Sequence, residues 1–268
     1  MRQLIRNIAI FDGTGSAPFP GAVLIEGDRI ADILRDEAAI DAAQADMVID
    51  GQGTTLIPGM VDAHTHLTWG SSVEKIYHQF ILPPEELKVA AWRNARVLLD
   101  HGYTSLYSAG ALGDQIEPEL ARAIAAGETP GPRLVPSTLE RSPEGEEGVE
   151  TGDVFNGRGP EAMRAFVAYC AAEGVKSLKL VISGEDALKP GSSQDILYTD
   201  EEMIAAGEAA KDAGLWIATH AYSPRAINLA LEAGARILYH CSFADDAAVD
   251  AMAAKKDAIF YAPGPGVS

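Results

Sequence analysis

From residue 60 to residue 262 the sequence repeats one pattern: a short apolar run, then a longer stretch of helical periodicity, usually closed by glycine. The apolar runs at 60–67, 104–109, 133–138, 177–183, 215–219, 236–240 and 258–262 read as strands. The stretches at 84–101, 116–126, 160–173, 200–213, 224–233 and 244–255 read as helices, with Gly102, Gly127, Gly174, Gly214 and Gly234 at helix C-terminal ends. Thr199 and Ser223 stand where N-caps belong, the latter followed by Pro224 at the first helical position. Strands alternating with helices require a parallel sheet with crossover connections, and this many units in a row suit a (β/α)8 TIM-like barrel better than an open sheet. The expectation is an α/β barrel missing its last strand. In such barrels chemistry sits at the C-terminal ends of the strands.

Residues 1–57 follow another rule. Short strands at 4–11, 22–26, 29–34, 47–50 and 54–57 are separated by Asp12-Gly13, Gly27-Asp28 and Gly51-Gln52-Gly53. This is a small β unit, the N-terminal part of a β-sandwich, with no catalytic constellation of its own. Pro58-Gly59 marks the break, so 58–268 is the barrel domain.

The strand ends carry the chemistry. Residues two apart in a strand share a face, so Met60, Asp62, His64 and His66 point one way, and two imidazoles there can hold one metal ion. His220 and His240 end the fifth and sixth strands. Each alone reads as a core histidine; together with His64-Thr65-His66 they form a ligand set. In the fourth strand Lys179 shares the inner face with Ser177, Val181 and Ser183, while Leu178, Leu180 and Ile182 face the helices. A buried ammonium needs an acid partner such as Asp62, a shifted pKa, or carboxylation by CO₂ into an anion that can bridge two metals. Lys176 has the opposite parity and ranks second. His78 and His101 read as bland, His101 at a helix C-terminus where positive charge is welcome.

The net charge of −18 argues against nucleic acid or an anionic membrane as partner, and its first meaning is solubility. Cys170 and Cys241 make no disulfide framework. Residues 1–7 lack the apolar core of a signal peptide, and no run reaches the roughly 18 apolar residues of a membrane span. A cytoplasmic location follows as the expectation.

Residues 57–66, Ile-Pro-Gly-Met-Val-Asp-Ala-His-Thr-His, resemble the signature of the amidohydrolase superfamily. Residues 120–127 with Gly131-Pro132-Arg133, the run 174–180 with Ser183-Gly184, and His220-Ala221-Tyr222 are similar to its imidazolonepropionase-like and Xaa-Pro dipeptidase-like branch. The resemblance implies two divalent metal ions, zinc the expected one. His64 and His66 would hold the first, His220 and His240 the second, and carboxylated Lys179 and a hydroxide would bridge them. It implies hydrolysis of a C–N amide bond in a small molecule: an N-acyl amino acid, a dipeptide-like compound or an aryl amide. Cyclic-amide (imidazolone-type) or phosphotriester and lactone cleavage is the alternative chemistry. Catalysis would rest on Lys179, His220 and His240, with Trp69 and Tyr222 lining the substrate site. Loop packing is the plainer reading of Trp69.

The sequence also departs from that pattern. The family's last ligand is an aspartate after strand eight, and Asp245, Asp246 and Asp250 on the helix after strand six cannot replace it. The expectation is a second polypeptide carrying strand eight and that aspartate, hence an oligomer; a non-catalytic metal-binding subunit is the reading that remains without it. A mononuclear deaminase would place Glu shortly after His220, where Ala221-Tyr222-Ser223-Pro224 stand. Tyr239 precedes His240 where relatives have Glu, and parity turns it outward, toward a packing role. The run 144–147, Glu-Gly-Glu-Glu, reads as a solvated loop before it reads as a lid.

Overall fold

A computed structural model describes residues 1–69, 83–113, 115–143, 157–186 and 189–264; His78, the acidic run 144–147 and residues 265–268 lie outside the described residues. The chain divides into two compact units, Met1–Met60 and Val61–Ser268.

In the first unit, β1 (Arg2–Ile10), β2 (Phe19–Glu26), β3 (Arg29–Leu34) and β4 (Met47–Asp50) form a sheet in the order β3-β2-β1-β4, and β5 (Thr55–Leu56) also pairs β1. Leu4 packs with Ala22 and Leu24, whereas Ile8 and Ile10 pack with Val23 in a separate cluster. Even-numbered residues would share one face in a regular strand. The register shifts between Ile5 and Ile8, where Asn7 takes a φ of 57°, so β1 changes face midway. A short helix, α1 (Glu37–Ala42), adds to the elements read from the sequence; the Asp36 carboxylate accepts from the Ala39 N–H and caps it.

The second unit alternates β6 (Met60–Thr65), α2 (Pro84–Asp100), β7 (Tyr103–Ser108), α3 (Ile116–Ala125), β8 (Arg133–Val135), α4 (Pro160–Ala172), β9 (Ser177–Val181), α5 (Asp200–Ala213), β10 (Trp216–Ala221), α6 (Pro224–Glu232), β11 (Ile237–His240), α7 (Asp246–Ala254) and β12 (Phe260–Ala262). The helix starts follow their caps. Thr199 and Glu202 form a reciprocal capping box, and the Ser223 hydroxyl accepts from the Ala226 N–H. Strand β8 is shorter than expected, ending before Pro136, which has no N–H to give a ladder. The chain regains the ladder at Arg141, whose N–H donates to Lys179 O and whose carbonyl accepts from Val181 N–H, both at 3.0 Å. That contact joins β6-β7-β8 to β9-β10-β11-β12.

Leu178, Leu180 and Ile182 face outward into a core with Phe166, Met203 and Ile227. On the other face Tyr107, Ala109, Ala218, Ile237, Tyr239 and Ala262 meet in one small cluster drawn from four strands or their ends. Side chains from β7 reach those of β11 only if the strands curve around a common interior. Among the described residues β6 pairs only β7 and β12 only β11, and no helix is long and apolar enough to cross a membrane.

Candidate metal centre

Four of the six histidines gather at the C-terminal ends of β6, β10 and β11. Ring centroids lie 5.3 Å apart for His64 and His66, 5.0 Å for His64 and His240, and 4.6 Å for His220 and His240. Lys179, 1% exposed, comes up among them from β9. Its Nζ donates to Ala109 O at 2.7 Å, lies 3.4 Å from Glu140 Oε2, and sits 4.8 Å over the Tyr239 ring. The acid partner is therefore Glu140, not Asp62, whose carboxylate accepts from the His64 N–H instead. Lys176 is exposed and takes no part.

Burial, and then the nearby Lys179 charge, hold the His64 pKa far below its ordinary value and push His66 and His240 down to about 3. Burial and then His240 keep His220 well below its ordinary value. The cluster is thus neutral at pH 7, the form that ligates metal. His66 Nδ1 lies 2.9 Å from Gly110 O; a carbonyl only accepts, so Nδ1 carries the proton and Nε2 offers its lone pair. Two buried atoms at the centre, His240 Nδ1 and Glu140 Oε1, have no hydrogen-bond partner among the described residues, and buried polar atoms left so invite an ion. Among the described residues no three His, Cys, Asp or Glu groups converge on one point in this conformation. The fit to a divalent ion rests on donor chemistry: neutral imidazoles and carboxylate oxygens suit zinc.

Tyr239 corrects the sequence reading. Parity counted back from His240 turns it outward; the structure puts it inside, stacked on His64 at 3.9 Å with its hydroxyl donating to Ala63 O at 3.0 Å. In the ladder Tyr239 pairs with His220, so it shares that inward face. His240 reaches the interior differently. It and Cys241 have φ of 69° and 52°, and this left-handed turn at the strand end breaks the alternation.

Trp69 stacks on His66 at 4.0 Å, so it braces a candidate ligand. Tyr222 is fully buried, edge-on to His220 at 4.6 Å, and its hydroxyl donates to Glu185 Oε2 at 2.8 Å. Glu185 Oε2 is 3.8 Å from His220 Nε2. Sequence reasoning missed Glu140 and Glu185. Each directly follows a strand-end segment, one at Leu139-Glu140 and the other at Ser183-Gly184-Glu185, and that position is the only signal either carried.

Gly110 makes room for Glu140. It has φ of +116°, and a Cβ there would lie 2.1 Å from Glu140 Cγ. Gly110→Ala is expected to cost about 1–3 kcal/mol through crowding and backbone strain. A thermal melt checks it, and an unchanged Tm would mean that Glu140 is not seated there.

Residues 55–261 match the family model described as "Amidohydrolase family". The chain belongs to the amidohydrolase family. The imidazolonepropionase of Anaeromyxobacter dehalogenans is 28% identical over 274 residues, covering 87% of this chain and 61% of that protein. The ochratoxinase of Aspergillus niger is 24% identical over 272 residues, covering 91% and 55%. A solved Xaa-Pro dipeptidase with methionine in its active site superposes with a TM-score of 0.82 at 23% identity, covering 98% of this chain and 66% of that one. That likeness speaks for the fold of this amidohydrolase. The chain spans about three-fifths of the length of the imidazolonepropionases it matches.

Proposed function

We propose that this chain forms the metal-binding body of a hydrolase that cleaves a C–N amide bond in a small molecule. The observation that carries the reading is the cluster of four histidines, kept neutral by burial, around the inward Lys179. His64 and His66 would hold one divalent ion, His220 and His240 a second, and Lys179, carboxylated by CO₂, would offer an oxygen to each. When bound, such ions polarise the carbonyl and supply an activated water. The protein's own part is to exclude bulk water and fix the ligands. Trp69 holds the plane of His66, Gly110 O fixes its tautomer, and Tyr239 packs against His64. N-acyl amino acids, dipeptide-like compounds and aryl amides are the substrate classes, with an imidazolone-type cyclic amide as the second reading, favoured by the imidazolonepropionase relatives.

The barrel would be completed by a further strand bringing the aspartate that the family places after strand eight, from a continuation of this chain or from a second polypeptide. Val61 on β6 and Phe260 on β12 are 66% and 60% exposed, apolar side chains on strands that each have one ladder partner among the described residues. Elemental analysis of protein purified without chelator, followed by a screen of amides, cyclic amides, lactones and phosphotriesters, tests the reading. Bound zinc with amide turnover is expected. Ester turnover without amide turnover would reverse the order of chemistries, and protein without metal would remove the reading.

A further inference from the structure

Glu140 faces two members of the centre, Lys179 and His66, with one carboxylate oxygen toward each. Its Oε2 lies 3.4 Å from Lys179 Nζ and its Oε1 lies 3.3 Å from His66 Nδ1. The side chain is 19% exposed, and Oε1 is buried with no hydrogen-bond partner among the described residues. An ionised carboxylate oxygen only accepts, and the His66 Nδ1 proton, though 3.3 Å away, is directed at Gly110 O, so Oε1 keeps an open acceptor position that a cation would fill. The surroundings are shaped to bring it there. Gly110 has no Cβ where one would strike Glu140 Cγ, and the carbonyls of Ala109 and Gly110 take up Lys179 and His66 on either side. The segment that carries Glu140 is tied down by the Arg141 ladder bonds to β9.

We infer that Glu140 is an additional oxygen ligand of the metal centre, supplied from the segment after β8 and lying outside the set of four histidines and Lys179. The inference rests on the metal-binding reading above and adds a residue to it. In the metal-free state Glu140 is the counter-ion of the Lys179 ammonium. Once Lys179 carries a carboxylate, that ion pair is gone, and two anions face the same ions. Oxygen donors beside imidazoles are the mixed set that zinc accepts.

The test is zinc titration of the whole chain against a chromogenic chelator, with cobalt substitution read by its visible d–d bands. Wild type, Glu140→Gln and Glu140→Asp are compared. Glutamine keeps the shape and removes the charge; it is expected to weaken one zinc equivalent by about tenfold to a hundredfold or more and to change the cobalt band intensity. Aspartate, shorter but anionic, should fall between the two, and it keeps the test open if the glutamine variant does not fold. Equal zinc affinities and superimposable cobalt spectra for wild type and both variants would overturn the ligand role while leaving the metal reading intact. Wild type that takes up no zinc would overturn both.

Discussion

Lys179→Ala is expected to lose amide turnover by on the order of 10²–10³-fold or more, the scale of removing a charged group from a preorganised site. Two effects combine, and they can be separated. The first is structural. Lys179 is 1% exposed and Glu140 stands 3.4 Å away, so the single substitution strands a carboxylate in the interior. Breaking a buried pair from one side costs about 3–5 kcal/mol. The double variant Lys179→Ala, Glu140→Gln should recover much of that stability in a urea melt, because no charge is left behind. The second effect is chemical. If a carboxylated Lys179 supplies an oxygen to each metal, acetate or propionate entering the vacated volume should restore part of the turnover and of the second zinc equivalent. Full metal content in the alanine variant, with no rescue by carboxylic acids, would reduce Lys179 to a counter-ion of Glu140.

The sequence made the scaffold legible because its punctuation is local. Thr199, Ser223 and Gly214 act through bonds within a few residues, so α5 and α6 begin where their caps stand. The histidines were legible because each closes an apolar run. What stayed hidden depends on contacts across many residues. Glu140 and Lys179 are brought together by the ladder between residue 141 and β9, and no spacing rule announces such a pair. Tyr239 was misplaced because parity assumes an unbroken strand, and His240 and Cys241 leave the extended region at the strand end. The shortening of β8 was readable in principle from Pro136, a residue that cannot donate to a ladder. The likeness to known amidohydrolases carries the family and the fold, while the partners of each candidate ligand come from the packing of this chain alone.

Acid is expected to unfold the metal-free protein well before it protonates the histidine cluster. His66 and His240 have folded pKa values of about 3 against 6.5 in an open chain, with burial the first cause and the Lys179 charge the next. Above pH 6.5 both folded and unfolded forms hold these rings neutral, and their contribution to stability is fully present. As pH falls below 6.5 the unfolded chain binds protons that the folded chain refuses, so stability drops until the folded values near 3 are reached. Each ring withdraws about 1.4 kcal/mol per pH unit over that window. His66 and His240 together therefore remove roughly 3 kcal/mol per unit, and His64 and His220, shifted the same way, steepen the fall. A total stability of about 5–15 kcal/mol cannot survive many such units. Glu117 runs the other way. Burial raises its pKa to about 7 from 4.5, against the pull of the Ser108 hydroxyl and the Ser137 and Leu67 N–H groups. Its contribution is complete below 4.5 and is lost as pH rises through 7. Glu140, also held above its ordinary value by burial, acts in the same sense. Two groups opposing four cannot hold the acid limb, so the chelated protein should lose stability steadily as the pH falls below about 6.5. Urea melts at pH 4.5, 5.5, 6.5 and 7.5 in the presence of chelator measure the slope directly. A flat profile from 6.5 to 4.5 would mean that water reaches the imidazoles and that the cluster is open rather than packed around Lys179. Adding zinc at pH 7 should raise the melting temperature in proportion to the logarithm of free zinc, and that gain should vanish as the pH drops and protons compete for the same lone pairs.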